Sequence, residues 1–284
     1  MPNVSEGRDR RLIERLAASV SGAGARVLDV HSDAVHNRTV ITAAAEAPVL
    51  AAAMAALARE ATAIDLTRHT GVHPRIGVLD VCPFVVDEAP VDEVVQVARS
   101  AGALVAETAG LPVYLYAHAA TRSECAALPA LRKGGLERLI ERSETDLPPD
   151  FGVTPIDPRR GVVCVGARGV LVAFNVWLRA APDVARRVAA RVRAELGGAG
   201  VRTLGLDVGG GLTQVSMNVT EPDRAGVDDA YRAVAAGAAA EGAEVHATEI
   251  VGLPPERYMP DPDAEAARLL IEPGRSLELV LAGG

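Results

Sequence analysis

Aromatic side chains are scarce in this 284-residue sequence, at 3%, so its core cannot be built around large rings. The 49% hydrophobic content is carried instead by Ala, Val and Leu, and many small aliphatic contacts suit helices packed on sheets. Cysteine is scarcer still. Cys82, Cys125 and Cys164 are odd in number and widely spaced, with no C-x-x-C pair, which excludes a secretory disulfide framework and predicts reduced thiols in a cytoplasmic protein. Basic residues are outnumbered, 29 Lys and Arg against 37 Asp and Glu, leaving a formal net charge of -8. That balance lacks the broad basic footprint by which non-specific nucleic-acid binders displace counterions, although a local basic pocket is compatible with it. Long apolar runs are missing too. The opening stretch MPNVSEGRDRRLIERLAASV has no signal-type apolar region, and charges interrupt the later apolar stretches, so no segment is expected to target or span a membrane.

What is present alternates between two periods. The length accommodates two compact units. Leu12, Ile13, Leu16 and Val20 fall at helical spacing within residues 9 to 20, and ARVLDVHSD and NRTVITAA read as strands. A helix is predicted from Pro48 to about Ala61, then a strand in RIGVLDVCPFVV, a helix in VDEVVQVARSAGALVAET and a strand in LPVYLYAH. Residues 145–161, TDLPPDFGVTPIDPRRG, are rich in proline without an apolar period and read as a loop or linker. Beyond them come a strand in GVLVAFNVWL, a helix in APDVARRVAARVRAEL, paired strands in VRTLGLDV and LTQVSMNVT, a helix in GVDDAYRAVAAGAAAEG and a strand in EVHATEIVGL. That order is the split unit of ferredoxin-like folds. The expected class is α+β, with two ferredoxin-like βαββαβ subdomains, 1–166 and 167–284, helices on the outer faces and a ligand cleft between the sheets.

The densest chemistry lies in TRHTGVHPRIGVLDVCPF, residues 67–84. His69 and His73 are four apart, a metal-pair spacing on a helix, but Gly71 and Pro74 oppose a helix and no Glu follows the first histidine. A neutral imidazole at a strand mouth beside Arg68 and Arg75 suits a general base, because the neighbouring cations disfavour a third positive charge. A histidine that merely caps a turn is the structural alternative. In DVHSDAVHNRTV, residues His31, Asp33, His36, Asn37 and Arg38 follow a strand; they fit a polar hairpin turn, substrate contacts or part of a metal site. The triple glycine Gly209 to Gly211 lacks the Lys-Ser/Thr of a phosphate loop and reads as a hairpin turn needing positive φ. Arg159, Arg160 and Arg168 form the most concentrated basic spot, an anion site or a solvated loop.

Taken in order, PNVSEGR, LDVHSDAVHNRTV, DLTRHTGVHPRIGVLDVCPF, PVYLYAHAA, PDFG, GARGVLVAFNVWL, LTQVSMNV and EIVGLPP resemble the formiminotransferase domain of the glutamate formimidoyltransferase family, folate-dependent enzymes of histidine breakdown. The resemblance implies two related subdomains with a folate tunnel between them, a homodimer, and no nucleic-acid or membrane partner. It implies transfer of a formimino group from N-formimino-L-glutamate to N5 of tetrahydrofolate, giving 5-formiminotetrahydrofolate and glutamate, with tetrahydrofolate as co-substrate and no metal. The second histidine of R-H-x-G-x-H-P-R is the family's catalytic base and falls on His73. The family's folate-contacting segments fall on Gly152, Val153, Thr154, Pro155, Ile156, Asp157, Pro158, Arg159, Arg160 and Gly161, and on Gly200, Val201, Arg202, Thr203, Leu204 and Gly205. Clustering adds substrate contacts: Arg38 and Arg75 as carboxylate clamps, Asp33 or His36 orienting the amidinium, with Asn3 and Asn37 beside them.

The sequence departs from the family pattern in places. Relatives carry a short apolar strand before PNVSEG, so either an edge strand is missing or the start codon is placed late; Val72 stands where relatives often carry an acidic residue, and no cyclodeaminase domain is expected after LELVLAGG. Three other readings stay open on the residues alone: one-carbon transfer involving a different amine, a folate-binding homologue without catalysis, and a metal-dependent hydrolase using His31, Asp33, His36 and His73.

Overall fold

Local signals in the first part of the chain place its helices before any packing is considered. Asp9 accepts a hydrogen bond from the Leu12 N–H at 3.1 Å and starts α1 (Arg10–Gly22), which buries Leu12, Ile13, Leu16 and Val20, the four residues at helical spacing. Pro48 sits in the first turn of α2 (Ala47–Ala61), where its missing N–H costs nothing. The computed structural model describes residues 1–272 and 275–283. The chain divides into two units, residues 1–168 and 169–284.

In the first unit β1 (Asn3–Val4), α1, β2 (Arg26–Asp33), β3 (Arg38–Ala44), α2 and β4 (Leu79–Val86) follow one another, then α3 (Val91–Ala109), β5 (Val113–Ala117), α4 (Leu128–Leu131), α5 (Gly135–Ser143) and β6 (Val163–Gly169). They build a six-stranded sheet in the order β2-β3-β1-β4-β6-β5. Its first four strands with α1 and α2 are the expected ferredoxin-like unit. Burial of Leu16, Ile41, Leu57, Leu79 and Val105 marks the principal core, and a second cluster around Tyr114, Tyr116, Leu131, Leu139 and Leu147 encloses the α4–α5 region. β1 corrects the sequence reading. Asn3–Val4 form a strand in the middle of the sheet, hydrogen-bonded to both β3 and β4, where an edge strand was expected to be missing. β6 was not anticipated, because VCVGARG is buried along most of its length, pairs in parallel with β5, and shows no alternation.

The second unit contains β7 (Val172–Arg179), α6 (Pro182–Leu196), β8 (Val201–Gly209), β9 (Leu212–Val219), α7 (Val227–Ala240) and β10 (Glu244–Val251), followed by the short helices α8 (Glu265–Arg268) and α9 (Leu277–Ala282). Its sheet order is β10-β7-β9-β8 with every pair antiparallel, the ferredoxin-like topology again. Phe174, Val176, Val188, Val192, Met217, Tyr231 and Val234 form its core. The β8–β9 hairpin turns through Gly209, Gly210 and Gly211 at φ of 82, 63 and 78°, as the triple glycine required. Among the described residues no helix is long and apolar enough to cross a membrane, and all three cysteines are free and buried.

Residues 145–161 are a packed loop of the first unit. Phe151 bridges to Val113, Ile156 is buried, and the segment ends in a close crossing with the chain entering β4. There the Val78 N–H donates to the Arg160 carbonyl at 2.9 Å and the Val162 N–H to the Ile76 carbonyl at 2.9 Å. Gly161, at φ +66°, permits the approach, since a Cβ on it would stand 2.1 Å from the Ile76 oxygen. Gly161→Ala should therefore lower unfolding free energy by about 1–3 kcal/mol in a urea titration. Gly110→Ala is the matched control, with the same φ and no atom within 4 Å of the new Cβ, and should cost less.

Candidate active site

Strand order decides which loops meet. β3 and β4 both run antiparallel to β1, so their first residues lie together where β1 ends. The loop after β1, the β2–β3 turn and the segment leading into β4 are thereby gathered at one margin of the sheet. Asn3 pairs with Val81 and Val4 with Leu79, so one step on β1 spans two on β4 and Asp80 is the extra residue of a bulge. A bulge re-aims a side chain, and here it puts a carboxylate into a strand otherwise written in apolar residues.

Asp80 is fully buried. Its Oδ1 accepts the Ile76 N–H at 2.9 Å, and its Oδ2 accepts Arg38 Nη1 at 2.7 Å and Arg132 Nη2. Burial by itself would raise the carboxyl pKa, but the Arg132 and Arg38 guanidiniums and the Ile76 N–H hold it below the ordinary carboxylate value. Arg38 also donates from Nε to Asn3 Oδ1 at 3.0 Å, which ties β1 to β3 at the site.

His73 stands beside this group, with Nδ1 3.4 Å from Arg38 Nη1 and 2.8 Å from the Pro74 carbonyl oxygen. A carbonyl only accepts, so the contact with Pro74 makes Nδ1 the protonated nitrogen and leaves the Nε2 lone pair available. Desolvation, followed by the charges of Arg38 and Arg132, pushes the imidazole down to about 3. The ring is therefore neutral near pH 7. His36 lies close, ring centroid to ring centroid 6.2 Å.

The surrounding loops are fastened by polar side chains. Asn37, buried and at φ +50°, accepts the Gly7 N–H at 2.8 Å and donates to the Thr70 carbonyl at 2.9 Å, joining all three loops. Asp33 accepts the Val35 and His36 N–H groups, both at 2.7 Å, and lies 3.0 Å from His36 Nδ1. Burial opposes ionisation of Asp33, yet the bonds from the His36 side chain and backbone and from Val35 lower it to about 2. Arg75 departs from the open carboxylate clamp of the sequence reading. Its Nε and Nη2 donate to the His73 carbonyl at 3.1 and 2.6 Å, its Nη2 also to the His36 carbonyl at 3.2 Å, and Nη1 rests on the His69 ring, 2.9 Å from Nε2. Arg75 thus braces the loop that carries His73.

The structure brings Asn3, Asp33, His36, Asn37, Arg38, His73 and Arg75 into one neighbourhood of the first unit. Segment 152–161 belongs to the same unit; Val153 is 77% exposed, the side chains of Arg159 and Arg160 are largely open, and the Leu66 N–H donates to the Arg159 carbonyl at 2.8 Å. Residues 200–205 belong to the second unit, Gly200 just before and residues 201–205 on its edge strand β8. There Val201 and Thr203 face the core, whereas Arg202 and Leu204 are exposed. Among the described residues no group of three or more His, Cys, Asp and Glu side chains is placed to hold a metal ion.

Asp80 and Arg132 were missed from the sequence. A lone carboxylate inside LDVCPFVV was the available sign for the first; the second, at the end of a four-residue helix, offered none. Asp80→Asn removes the carboxylate two guanidiniums share and should lower unfolding free energy by about 3–5 kcal/mol in urea. The wild-type contribution is present above the unfolded carboxyl pKa near 3.8 and fades as pH falls below it, so the variant should show the flatter acid dependence.

Comparison with known proteins identifies the family. The formiminotransferase domain, N-terminal subdomain, matches residues 1–168, and the formiminotransferase domain matches residues 173–272. The chain is 36% identical over 270 residues to the glutamate formimidoyltransferase of Thermoplasma acidophilum, covering 92% of this chain and 89% of the relative. It is 35% identical over 268 residues to that of Streptococcus pyogenes serotype M1, covering 92% and 90%. The formimidoyltransferase-cyclodeaminase of Gallus gallus is 35% identical over 273 residues, which span 92% of this chain and 50% of that longer protein. Two domain matches in tandem and colinear relatives over nine-tenths of the length lead to one conclusion: the chain belongs to the formiminotransferase family.

Proposed function

We propose that this chain is a transferase that moves the formimino group of N-formimino-L-glutamate to N5 of tetrahydrofolate, releasing glutamate and 5-formiminotetrahydrofolate. The names of its relatives and both domain matches support the reaction class. The observation that carries the residue assignment is the 2.8 Å contact from His73 Nδ1 to the Pro74 carbonyl, which occupies the Nδ1 proton and leaves the Nε2 lone pair unused.

Tetrahydrofolate supplies the nucleophilic amine. His73 Nε2 accepts the proton this amine must lose as it bonds to the amidine carbon, and returns it to the glutamate nitrogen as the old C–N bond breaks. One imidazole completes both transfers and ends neutral. General acid–base help of this kind is worth about 10²- to 10⁴-fold when the pKa lies near the working pH, so the free-state value of about 3 has to rise as the charge of bound substrate offsets Arg38 and Arg132; fixed positioning of the two reactants adds to it. His36, held by Asp33, stands near enough to steer the amidinium. Segments 152–161 and 200–205 are assigned to folate contact, which suits their exposed mixture of apolar Val153 and Leu204 with Arg159, Arg160 and Arg202. Free, buried cysteines fit a reducing compartment, and the reaction is assigned to the cytoplasm.

His73→Ala should retain the fold while kcat falls about 10²- to 10⁴-fold in an assay with tetrahydrofolate and formiminoglutamate. Near wild-type turnover in a folded variant would remove His73 from the mechanism. In the free wild-type protein the NMR signals of the His73 ring should not titrate near the usual imidazole value of 6.5 but only toward about 3. With the folded pKa below the unfolded one, His73 has no effect on stability above 6.5 and destabilises as pH falls from there, because the unfolded chain takes a proton the folded one refuses.

A further inference from the structure

Two guanidiniums meet on a single oxygen. Arg38 Nη1 and Arg132 Nη2 both donate to Asp80 Oδ2, so the cluster carries two positive charges against one negative, and it lies directly beside His73. Neither arginine is saturated. Among the described residues Arg38 Nη2 and Arg132 Nη1 make no hydrogen bond, and Arg132 Nε is buried with no partner. The side chains are 12% and 17% exposed. Two largely buried cations sharing one anion, with donors still unused, are stabilised by a second anion. Arg75, in contrast, has its Nε and Nη2 donors occupied by the carbonyls of His73 and His36.

We propose that Arg132 and Arg38, held side by side by Asp80, form the site that takes one carboxylate of the glutamate part of the donor, with Arg132 as a specificity-determining residue. The inference rests on the formimino-transfer reading and adds a substrate-binding role for a residue outside every matched motif. Asp80 aligns the two guanidiniums, and the carboxylate would take Arg38 Nη2 and Arg132 Nη1, neither of which has a hydrogen-bond partner among the described residues. Two planar forks suit a planar carboxylate, and the arriving charge brings the cluster to neutrality. Binding at this position would set the amidine of the same molecule within range of His73, so recognition and proton transfer share one group of side chains.

The test uses the full chain, with isothermal titration of L-glutamate and steady-state kinetics. Arg132→Gln should weaken L-glutamate binding and raise KM for formiminoglutamate by about 10- to 100-fold, with KM for tetrahydrofolate unchanged. A purely structural Arg132 would shift Tm and leave that split absent. Arg132→Lys keeps a positive charge opposite Asp80 but loses the fork, and should bind L-glutamate less tightly than wild type; it carries the test if the Gln variant fails to fold. The proposal is overturned if either folded variant binds L-glutamate as tightly as wild type, or if wild type does not bind it. Binding that depends on Arg132 without turnover of formiminoglutamate would reject the proposed reaction and keep the clamp; turnover indifferent to Arg132 would do the reverse.

Discussion

The buried carboxylate of Asp80 is the constraint on which the rest of the site depends. Taking one carboxylate and two guanidiniums largely out of water is unfavourable by itself, and is offset only because the Asp80 oxygens accept from the Ile76 N–H, Arg38 and Arg132 together. The arrangement fixes where both positive charges lie. Desolvation first, and those two charges second, keep the His73 imidazole unprotonated against the opposing charge of Asp80 itself.

The site has little apolar packing of its own. Each unit's core lies between sheet and helices, whereas the site is fastened by amides, carboxylates and guanidiniums bonded to backbone. Asn37 is the clearest case: one side chain satisfies an N–H of the first loop and a carbonyl of the third, and its positive φ is kept by those bonds. Arg75 does similar work for the His73 loop. Polar bonds of this kind supplement the buried Ile76 and Val78, which anchor the His73 segment where it enters β4.

The two units share one topology and differ in what they add to it. The first extends its sheet beyond β4 with β6 and β5 and covers that extension with α4, α5 and the proline-rich loop, and this addition supplies Arg132. The second keeps the four-stranded form, leaving β8 as an edge whose outward residues alternate with core residues of α6 packing. Thus the same βαββαβ plan serves two surfaces of different chemistry.

The sequence by itself determined the periodic elements, the hairpin at Gly209 to Gly211, and the location of His73 in a strand mouth, because each of these rests on local spacing, turn chemistry or a short colinear motif. It also assembled most of the site's residues by proximity along the chain. Only the tertiary structure decided that Asn3 and Val4 lie at the centre of a sheet, that 145–161 packs within one unit, that Arg75 braces a loop, and that Asp80 joins Arg38 to Arg132, 94 residues apart in number. The physical reason is shared by all four. Periodicity reports whether a residue faces a core, but the partner of a buried charge or of a short strand is chosen by which distant segments the sheet order brings together.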